Sequence, residues 1–556
     1  MTTYQPRLMD QHLEELLRSV PAVSVEGARA VGKTRTARAH GTTFIAVDDP
    51  DERAQLAAIG SRFTTLPSPL VIDEWQRMPE LWDRVRRAVD DDPSPGRFLL
   101  TGSSTPSQAP THTGAGRIIT LRMRPFSLAE RAIETPTVSV GSLLGSGLGT
   151  QDLSALTPIE GYTSVTIDQY VDEICRSGFP AIREQPPLGR KAQLDGYIEQ
   201  TLRHDLPEAT GGRRRSRSVR EWLTAYASAV ATTASFSSIA ELANRPLSTD
   251  MGLSTARSYR DHLSGMWLLD PVPGWSPSEN EFSRNNLTDK HQLCDPALAA
   301  RLLGYGPSEV LGVGHPILTS PRGTPRRPRV LGSLFESLVI QSLQVYAEVL
   351  SARVFHLRTK GGLQEIDIIL EGADRRVVAF EIKARATPKP EDTKHLRWLR
   401  KKIGPRLADA VLVTTGRLAY RDEDARLEPG LEDTSDDADL PIVRDLGLGR
   451  PRVLSPQGRW DAANRWYASE RGPKSGRRPK NTCSNCGFLI KMSGEMRMAF
   501  GVCANEWATD DGSVVSLDHT CGSHSETDLP KGATAWPVRP PRVNDSAIDV
   551  ERAPEA

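Results

Sequence analysis

The sequence has no excess of either charge, few cysteines and no long apolar run. Its 70 basic side chains are matched by 70 acidic ones, so any contact with nucleic acid must come from local patches. Only six cysteines occur in 556 residues, and four fall between positions 483 and 521. This clustering indicates a metal site in a reducing compartment rather than a disulfide framework. Because no apolar window reaches the length of a membrane span and the N-terminus has no signal-peptide core, we expect a cytoplasmic protein without a membrane partner.

The strongest motif is a phosphate-binding loop near the N-terminus. Residues 27–34 fit the pattern Gly-x-x-x-x-Gly-Lys-Thr at every position, between a strand-like stretch and a helix-compatible one. In such a loop, backbone N–H groups surround phosphate oxygens, the lysine reaches the β- and γ-phosphates, and the threonine ligates Mg²⁺. We therefore predict ATP and Mg²⁺ as cofactors. The predicted binding residues are Gly27, Ala28, Arg29, Ala30, Val31, Gly32, Lys33 and Thr34.

Downstream segments carry the other parts of a nucleotide-hydrolysing site. The apolar run 69–74 ends in two carboxylates, of which Asp73 is predicted to support Mg²⁺ and Glu74 to activate water. Residues 97–104 form a third strand that ends in hydroxyl side chains suited to sensing a γ-phosphate. Arg117 follows a glycine and is predicted to act as an arginine finger, in cis or from a neighbouring subunit of a homo-oligomer; the alternative is a solvated loop residue.

At this point the chain resembles the bacterial and archaeal AAA-type ATPases that carry a C-terminal domain of unknown function with a nuclease-like core. The resemblance covers about residues 1–420 and implies a P-loop AAA-type parallel sheet. Beyond the nucleotide motifs, the matching segments are Tyr4-Gln5-Pro6-Arg7, Val47-Asp48-Asp49-Pro50, residues 124–130, Ser177-Gly178-Phe179-Pro180, residues 294–298 and residues 332–336.

Residues 219–275 have the order of a winged helix-turn-helix. Two helical stretches, 237–243 and 254–263, are followed by strand-like residues 267–273. Arg257, Tyr259 and Arg260 on the second helix would face DNA in such a module. A protein-packing adaptor is an equal alternative.

A second chemical constellation lies between residues 330 and 416. If the turn between the strands 364–370 and 377–383 centres near Asp374, Asp367 lies opposite Glu381, and Lys383 shares their face. Two carboxylates and an ammonium group at one point bind Mg²⁺ and activate water against a phosphodiester. Glu336 is a further candidate ligand. The arrangement resembles the PD-(D/E)xK restriction-endonuclease-like core, which is able to cleave DNA or RNA or to persist for binding alone.

The C-terminal segment carries the predicted zinc site. Cys483, Cys486 and Cys503 supply three thiolates, and Cys521 is our choice for the fourth ligand, with His519 and His524 as alternatives. Residues from about 453 to 526 resemble a second bacterial family of unknown function.

The sequence therefore predicts an α/β protein in which an ATPase controls attached modules that act on nucleic acid. The alternative is a regulatory switch whose nuclease-like core is inactive and binds a protein. The predicted parts are an ATPase domain (1–135), a helical region with a winged helix-turn-helix (160–275), a nuclease-like domain (280–420), an acidic linker (421–452), a cysteine-rich zinc-ribbon-like segment (453–526) and a disordered tail (527–556).

Overall fold

The structure is a computed structural model of the whole chain. It describes residues 4–104, 114–145, 159–205, 216–245, 251–277, 287–312, 330–359, 362–421, 427–429, 452–454, 462, 465–472, 481–492, 499–521 and 523–525. The chain divides into two compact units. The first holds Met1–Pro388 and Asp392–Ala419, and the second holds Lys389–Glu391 and Tyr420–Ala556. The predicted disordered tail and most of the predicted acidic linker lie outside the described residues.

The first unit begins with a five-stranded parallel sheet. Its strands are β1 (Ala22–Glu26), β2 (Thr43–Ala46), β3 (Leu70–Asp73), β4 (Phe98–Gly102) and β5 (Ile118–Arg122). They follow the order β2-β3-β4-β1-β5, and every neighbouring pair is parallel. The central strands are apolar runs buried on both faces, as parallel strands are when helices cover them.

Helices connect these strands and cover the sheet. They are α1 (Met9–Leu17), α2 (Lys33–His40), α3 (Pro50–Ile59) and α4 (Glu80–Asp91), with 3₁₀ turns at Gly60–Thr65 and Trp75–Arg77. The helix α4 buries Leu81, Val85 and Val89, which are spaced by four residues and so form one face. Because all strands are parallel, the loops after β1, β3 and β4 meet at one edge of the sheet.

A mainly helical region follows. After a 3₁₀ turn at Ala129–Arg131, its elements are α5 (Val140–Gly145), β6 (Glu160–Tyr162), α6 (Ile167–Arg176), α7 (Pro180–Arg183), α8 (Pro187–Gln200), a π-helical turn (Thr201–Asp205), α9 (Ser216–Ser228), α10 (Phe236–Asn244), α11 (Leu253–Gly265), α12 (Pro296–Leu302) and α13 (Pro307–Leu311).

The predicted winged helix-turn-helix is only partly present. Its two helices form as α10 and α11, but residues 267–274 make isolated bridges from Leu269 to Leu293, from Val272 to Lys290 and from Gly274 to His356 instead of a β wing. Tyr259, predicted to face DNA, is buried against Trp222. That side of α11 is therefore a packing surface.

The third part of this unit is an α/β core. Its elements are α14 (Val330–Val349), β7 (Arg353–Arg358), β8 (Glu365–Glu371), β9 (Val377–Ile382), the 3₁₀ turn Pro390–Thr393, α15 (Lys394–Ile403), the 3₁₀ turn Gly404–Arg406, β10 (Leu407–Val413) and β11 (Leu418–Tyr420). The sheet order is β10-β9-β8-β7, and the β8–β9 hairpin pairs Ile368 with Phe380, which is the predicted register.

The helix α14 is the hydrophobic centre of this core. Contrary to the sequence prediction, it is long and apolar enough to cross a membrane, and it is the one such helix among the described residues. Within its apolar 18-residue window, 67% is buried inside the protein. This burial is typical of a core helix in a protein that needs no membrane.

A buried network of ion pairs and hydrogen bonds lies in and beside three of the resemblance segments, residues 124–130, 177–180 and 294–298. Glu173 receives hydrogen bonds from Arg131 at 3.1 Å and from Arg183 at 3.0 Å. The main-chain N–H of Gly178 donates to Asp295 at 2.6 Å. These buried charges hold the ATPase domain, the helical region and the segment before α12 together, so these segments are packing landmarks.

The second unit is small in its described part. Its elements are β12 (Leu427–Pro429), β13 (Arg452–Leu454), the 3₁₀ turn Cys483–Asn485, β14 (Leu489–Lys491), β15 (Phe500–Cys503) and β16 (Val514–Ser516). The strands β12 and β13 form an antiparallel pair. The strand β12 lies inside the predicted acidic linker, and β13 begins at the linker's last residue. The strands β14, β15 and β16 form a three-stranded antiparallel sheet.

Candidate nucleotide site and carboxylate cluster

The loop after β1 has the backbone that a phosphate-binding turn requires. Gly32 lies at φ 108°, where glycine alone is unstrained, and Ala30 also has a positive φ of 63°. A Cβ atom at Gly27 would collide with the main-chain oxygen of Met123. The glycines are therefore needed for the course of the loop, which runs into the N-terminus of α2.

Lys33 is folded back over this loop. Its Nζ donates to the main-chain oxygens of Gly27 and Ala28, both at 2.9 Å, and the residue is only 5% exposed. Burial lowers the pKa of Lys33 to about 8, against the opposing pull of Glu74 and Asp73. An anionic phosphate group at the loop would favour the charged form.

Thr34 and Asp73 are brought together from α2 and the end of β3. The Thr34 hydroxyl lies 3.0 Å from both carboxylate oxygens of Asp73, and Thr101 on β4 also donates to this carboxylate. Burial raises the pKa of Asp73. A hydroxyl beside a desolvated carboxylate is the donor set that fits Mg²⁺ next to a nucleotide, so both predicted positions suit this cofactor.

Glu74 is held by two side chains that the sequence interpretation did not assign to it. The residue has φ 56°, and its Oε2 accepts hydrogen bonds from Ser103 at 2.8 Å and from Gln76. Ser103 belongs to the hydroxyl run predicted to sense phosphate. Because it reaches Glu74, this run is linked to the carboxylate that is predicted to activate water.

Arg7 is a further residue at the loop that sequence reasoning treated only as part of a family landmark. Its Nη1 donates to the main-chain oxygen of Val31 at 2.9 Å, and its Nη2 donates to that of Arg124 at 2.7 Å. Its Nε makes a buried ion pair with Glu130 at 2.8 Å. This ion pair could have been predicted from the sequence, since two of the resemblance segments carry an arginine and a glutamate of opposite charge.

Arg117 is not brought to the loop of its own chain. It precedes β5, whose first residue, Ile118, pairs with Ala22, whereas the phosphate-binding loop follows Glu26 at the other end of β1. Five residues at about 3.3 Å each place the two ends roughly 16 Å apart. Arg117 instead binds Asp90 at 2.8 Å and is 46% exposed. The geometry therefore does not support the predicted finger in cis.

The β8–β9 hairpin assembles the predicted carboxylate cluster. The Oδ2 of Asp367 accepts from the main-chain N–H of Ile382 at 2.8 Å. Lys383 Nζ lies 2.9 Å from Glu381 Oε2 and 3.6 Å from Asp367 Oδ2. The predicted face of Asp367, Glu381 and Lys383 is thus present.

Glu336 reaches the same cluster from α14, but it is engaged by a lysine that was not predicted. Lys290 Nζ lies 2.6 Å from Glu336 Oε1 and 3.6 Å from Asp367 Oδ1, and it also donates to the main-chain oxygen of Asp367 at 3.1 Å. Lys290 is 1% exposed. No periodicity pointed to it, because it comes from an irregular segment before α12.

The ionisation of the cluster follows from burial and neighbouring charge. Burial and the Asp367 charge raise the pKa of Glu381 to about 8, and burial raises that of Glu336 to about 7. Burial also opposes ionisation of Asp367, but Lys290 and Lys383 outweigh it and lower the pKa of this carboxyl. Asp367 is the most readily ionised of the three.

The cluster has one feature of an incomplete ligand set. Glu381 Oε1 is buried and receives no hydrogen bond from a nitrogen or hydroxyl donor, and a hydrogen bond between the Glu381 and Asp367 carboxyls helps to raise the pKa of Glu381. Within the described ranges, however, no group of three or more His, Cys, Asp and Glu side chains is arranged to hold a metal ion. The donor set fits a divalent cation in chemistry, and a three-carboxylate site is not formed.

The four cysteines of the second unit lie near one another. Burial, followed by the nearby thiols of Cys521, Cys486 and Cys503, raises the pKa of Cys483 to about 12. Cys483 and Cys503 belong to one small core against which Cys521 packs. Four thiols in one small region are the donor type that zinc binds. Among the described residues, however, no group of three or more His, Cys, Asp and Glu side chains is arranged to hold a metal ion, so the site is not formed as a closed ligand set.

The two histidines are engaged elsewhere. His519 Nε2 lies 2.9 Å from Asp510 Oδ2 and its Nδ1 lies 3.4 Å from the main-chain oxygen of Gly472. His524 Nε2 faces the main-chain oxygen of Thr482 at 3.2 Å and Asn485 Oδ1 at 3.0 Å. These partners favour Cys521 over either histidine as a fourth ligand.

Four family models match successive parts of the chain. Residues 19–132 match an AAA domain. Residues 167–309 and 331–428 match two domains of unknown function, designated DUF8612 and DUF4143. Residues 391–528 match a protein family of unknown function, designated DUF3027.

Relatives of known sequence share parts of the chain. An uncharacterized protein of Mycobacterium tuberculosis H37Rv is 37% identical over 139 residues, which is 25% of this chain and 52% of the relative. A second uncharacterized protein of this strain is 27% identical over 385 residues, 68% of this chain and 73% of the relative. The chain thus spans about half the length of the first of these relatives.

Among solved structures, a Walker-type ATPase of Pyrococcus abyssi is 16% identical, with a TM-score of 0.30 over 53% of this chain and 94% of that chain. The family match coincides with the parallel sheet, the glycine-dependent loop and the Thr34–Asp73 pair. The predicted α/β class with a P-loop sheet is confirmed, and residues 19–132 are similar in sequence to an AAA domain.

Proposed function

We propose that the protein binds and hydrolyses ATP with Mg²⁺ and uses the nucleotide state to control its nuclease-like core on nucleic acid in the cytoplasm. The contact between the Thr34 hydroxyl and the Asp73 carboxylate, next to the buried Lys33, carries the first half of this proposal. Mg²⁺ would supply charge neutralisation at the phosphates. Lys33 pairs with phosphate oxygens, Thr34 and Asp73 hold the cation, and Glu74 accepts the proton of the attacking water.

Phosphate release by the full-length protein with Mg²⁺ tests this assignment. Lys33→Ala is expected to weaken ATP binding, whereas Glu74→Gln retains binding and lowers turnover at least about a hundredfold, because only the base is lost. Exposed Lys191→Ala and Glu241→Gln are the matched controls. Normal turnover by Glu74→Gln would exclude its assigned role.

For Arg117 the remaining proposal is a finger supplied to a neighbouring subunit. Its exposure and its place at the sheet edge away from the loop are compatible with contact to a second copy. Mixing Arg117→Ala with Glu74→Gln protein is expected to restore partial turnover. No rescue at any ratio would leave Arg117 as a surface residue.

Action on nucleic acid is supported by charge beside the carboxylate cluster. The helix α15 packs on β8, β9 and β10 through Leu396 and Leu399. Its exposed side carries five cations, Lys394, Arg397, Arg400, Lys401 and Lys402. In a chain without net charge, this is the kind of local patch that phosphate backbones require.

Cleavage of single- and double-stranded DNA and RNA, with Mg²⁺ or Mn²⁺ and with or without ATP, tests the nuclease half. We expect activity that is lost in Asp367→Asn and Glu381→Gln and retained in the same-strand control Glu365→Gln. DNA or RNA should also stimulate ATP hydrolysis.

The regulatory-switch alternative is favoured by one observation. Lys290 already neutralises Glu336, so no three-carboxylate metal site exists among the described residues. This alternative would be supported if neither DNA nor RNA stimulated ATP hydrolysis and neither was cleaved.

A further inference from the structure

The carboxylate cluster contains a cation of its own. Lys290 is fully enclosed, and its Nζ lies between Glu336 Oε1 at 2.6 Å and Asp367 Oδ1 at 3.6 Å. It is also fixed by the main-chain oxygen of Asp367 at 3.1 Å. An ammonium group held by these oxygens in a buried position supplies positive charge to Glu336 and Asp367 that a divalent cation would otherwise supply.

We propose that Lys290 is a built-in counter-cation that removes Glu336 from the metal-ligand set and leaves Asp367 and Glu381 as a site for one divalent cation. Lys290 is then a positioning residue for the nuclease-like core. This inference deepens the proposed nuclease half and rests on it.

The remaining oxygens agree with a two-carboxylate site. Glu336 Oε1 is occupied by Lys290, whereas Glu381 Oε1 is buried and receives no hydrogen bond from a nitrogen or hydroxyl donor. When all three carboxyls are ionised, as a bound cation would favour, the two ammonium groups leave one net negative charge in the cluster. One divalent cation reverses that charge and favours an anionic phosphodiester, whereas two cations would leave a large positive excess.

The test is a double-mutant cycle on Mn²⁺ affinity, measured by electron paramagnetic resonance on the full-length protein without nucleotide. In the wild-type background, Asp367→Asn is expected to weaken Mn²⁺ binding at least about tenfold and Glu336→Gln by only about twofold, since the latter removes charge but no ligand. In the Lys290→Met background Glu336 is released. Glu336→Gln should then cost about tenfold as well.

Glu365→Gln, on the same strand and 39% exposed, is the control carboxylate. If Lys290→Met does not fold because Glu336 is left unpaired, Lys290→Gln replaces it, since an amide still donates to Glu336 without the charge. Equal losses for Glu336→Gln in both backgrounds, or no Mn²⁺ dependence on Asp367, would overturn the inference. Absence of cleavage with the expected Mn²⁺ pattern would contradict only the nuclease activity.

Discussion

Lys33 is a buried cation held by two main-chain carbonyl oxygens, and this makes nucleotide binding sensitive to alkaline pH. Its pKa is about 8, because burial disfavours the charged form. Phosphate oxygens raise this pKa, so binding takes up a proton once free Lys33 has lost one. We expect ATP affinity to be constant below about pH 7 and to fall by up to tenfold per pH unit above about pH 8.

Calorimetric titration of ATP from pH 6 to 10 measures this dependence. Lys33→Arg provides the control, because a guanidinium stays charged over this range and should remove the alkaline fall. An unchanged affinity up to pH 10 in the wild-type protein would show that Lys33 is not the phosphate partner.

The residues that could be predicted are those whose neighbours follow from local geometry. Asp367 and Glu381 were found because strand period and turn position fix which side chains share a face of a hairpin. Lys290 could not be found, since its contact with Glu336 joins segments 46 residues apart without periodicity. For Arg117 the sequence left open a finger in cis, a finger from a neighbouring subunit and a solvated loop residue. Its place before β5, at the end of the sheet away from the phosphate-binding loop, speaks against the first of these.

Helices and strands were predicted correctly where the spacing of apolar residues and the positions of glycines determine the local backbone. The strand, loop and helix around residues 22–40 have the expected order, and α14 carries Glu336 as expected. The wing of the helix-turn-helix could not be fixed from the sequence, because residues 267–274 form only isolated bridges, and their partners lie in segments that come close only in the folded chain.

Measuring zinc content tests whether the cysteines around the three-stranded sheet of the second unit bind a metal ion. Four clustered thiols and two engaged histidines favour a Cys₄ site. We expect one zinc per full-length chain by elemental analysis, falling below about half an equivalent in Cys521→Ser. Cys175→Ser, in the first unit, is the control and should retain the metal. Full zinc content in Cys521→Ser would return the fourth position to a histidine.

Chelation provides the structural readout of the same site. Because a small zinc-bound sheet has little core of its own, removal of zinc should unfold residues from about 480 to 525. With a zinc-selective chelator and excess Mg²⁺, ATP hydrolysis by the first unit should continue, and its loss under these conditions would show that zinc serves the first unit.

On the scale of the first unit, the phosphate-binding loop and the helix α14 are joined by a path of buried contacts. Arg7 binds the main-chain oxygens of Val31 in the loop and of Arg124. The Arg124 guanidinium in turn binds Asp270 at 2.7 Å and Glu348 on α14 at 3.3 Å. If nucleotide binding shifts the loop, we expect these contacts to pass the shift to the helix that carries Glu336.

Hydrogen exchange with and without ATP tests whether this path transmits the nucleotide state. In the wild-type protein, ATP should protect amides of the loop and of residues 330–349. Arg124→Gln should abolish protection of 330–349 and retain that of the loop, because Arg7 contacts the main-chain oxygen of residue 124, which the substitution preserves.

Removing one partner of a buried charge pair costs about 3–5 kcal/mol of folding stability, so the thermal unfolding of each variant is measured as well. Arg376→Gln, whose partner Asp374 is exposed, is the control. Undiminished protection of 330–349 in folded Arg124→Gln would mean that nucleotide control, if present, uses another route through the buried network of Arg131, Glu173 and Arg183.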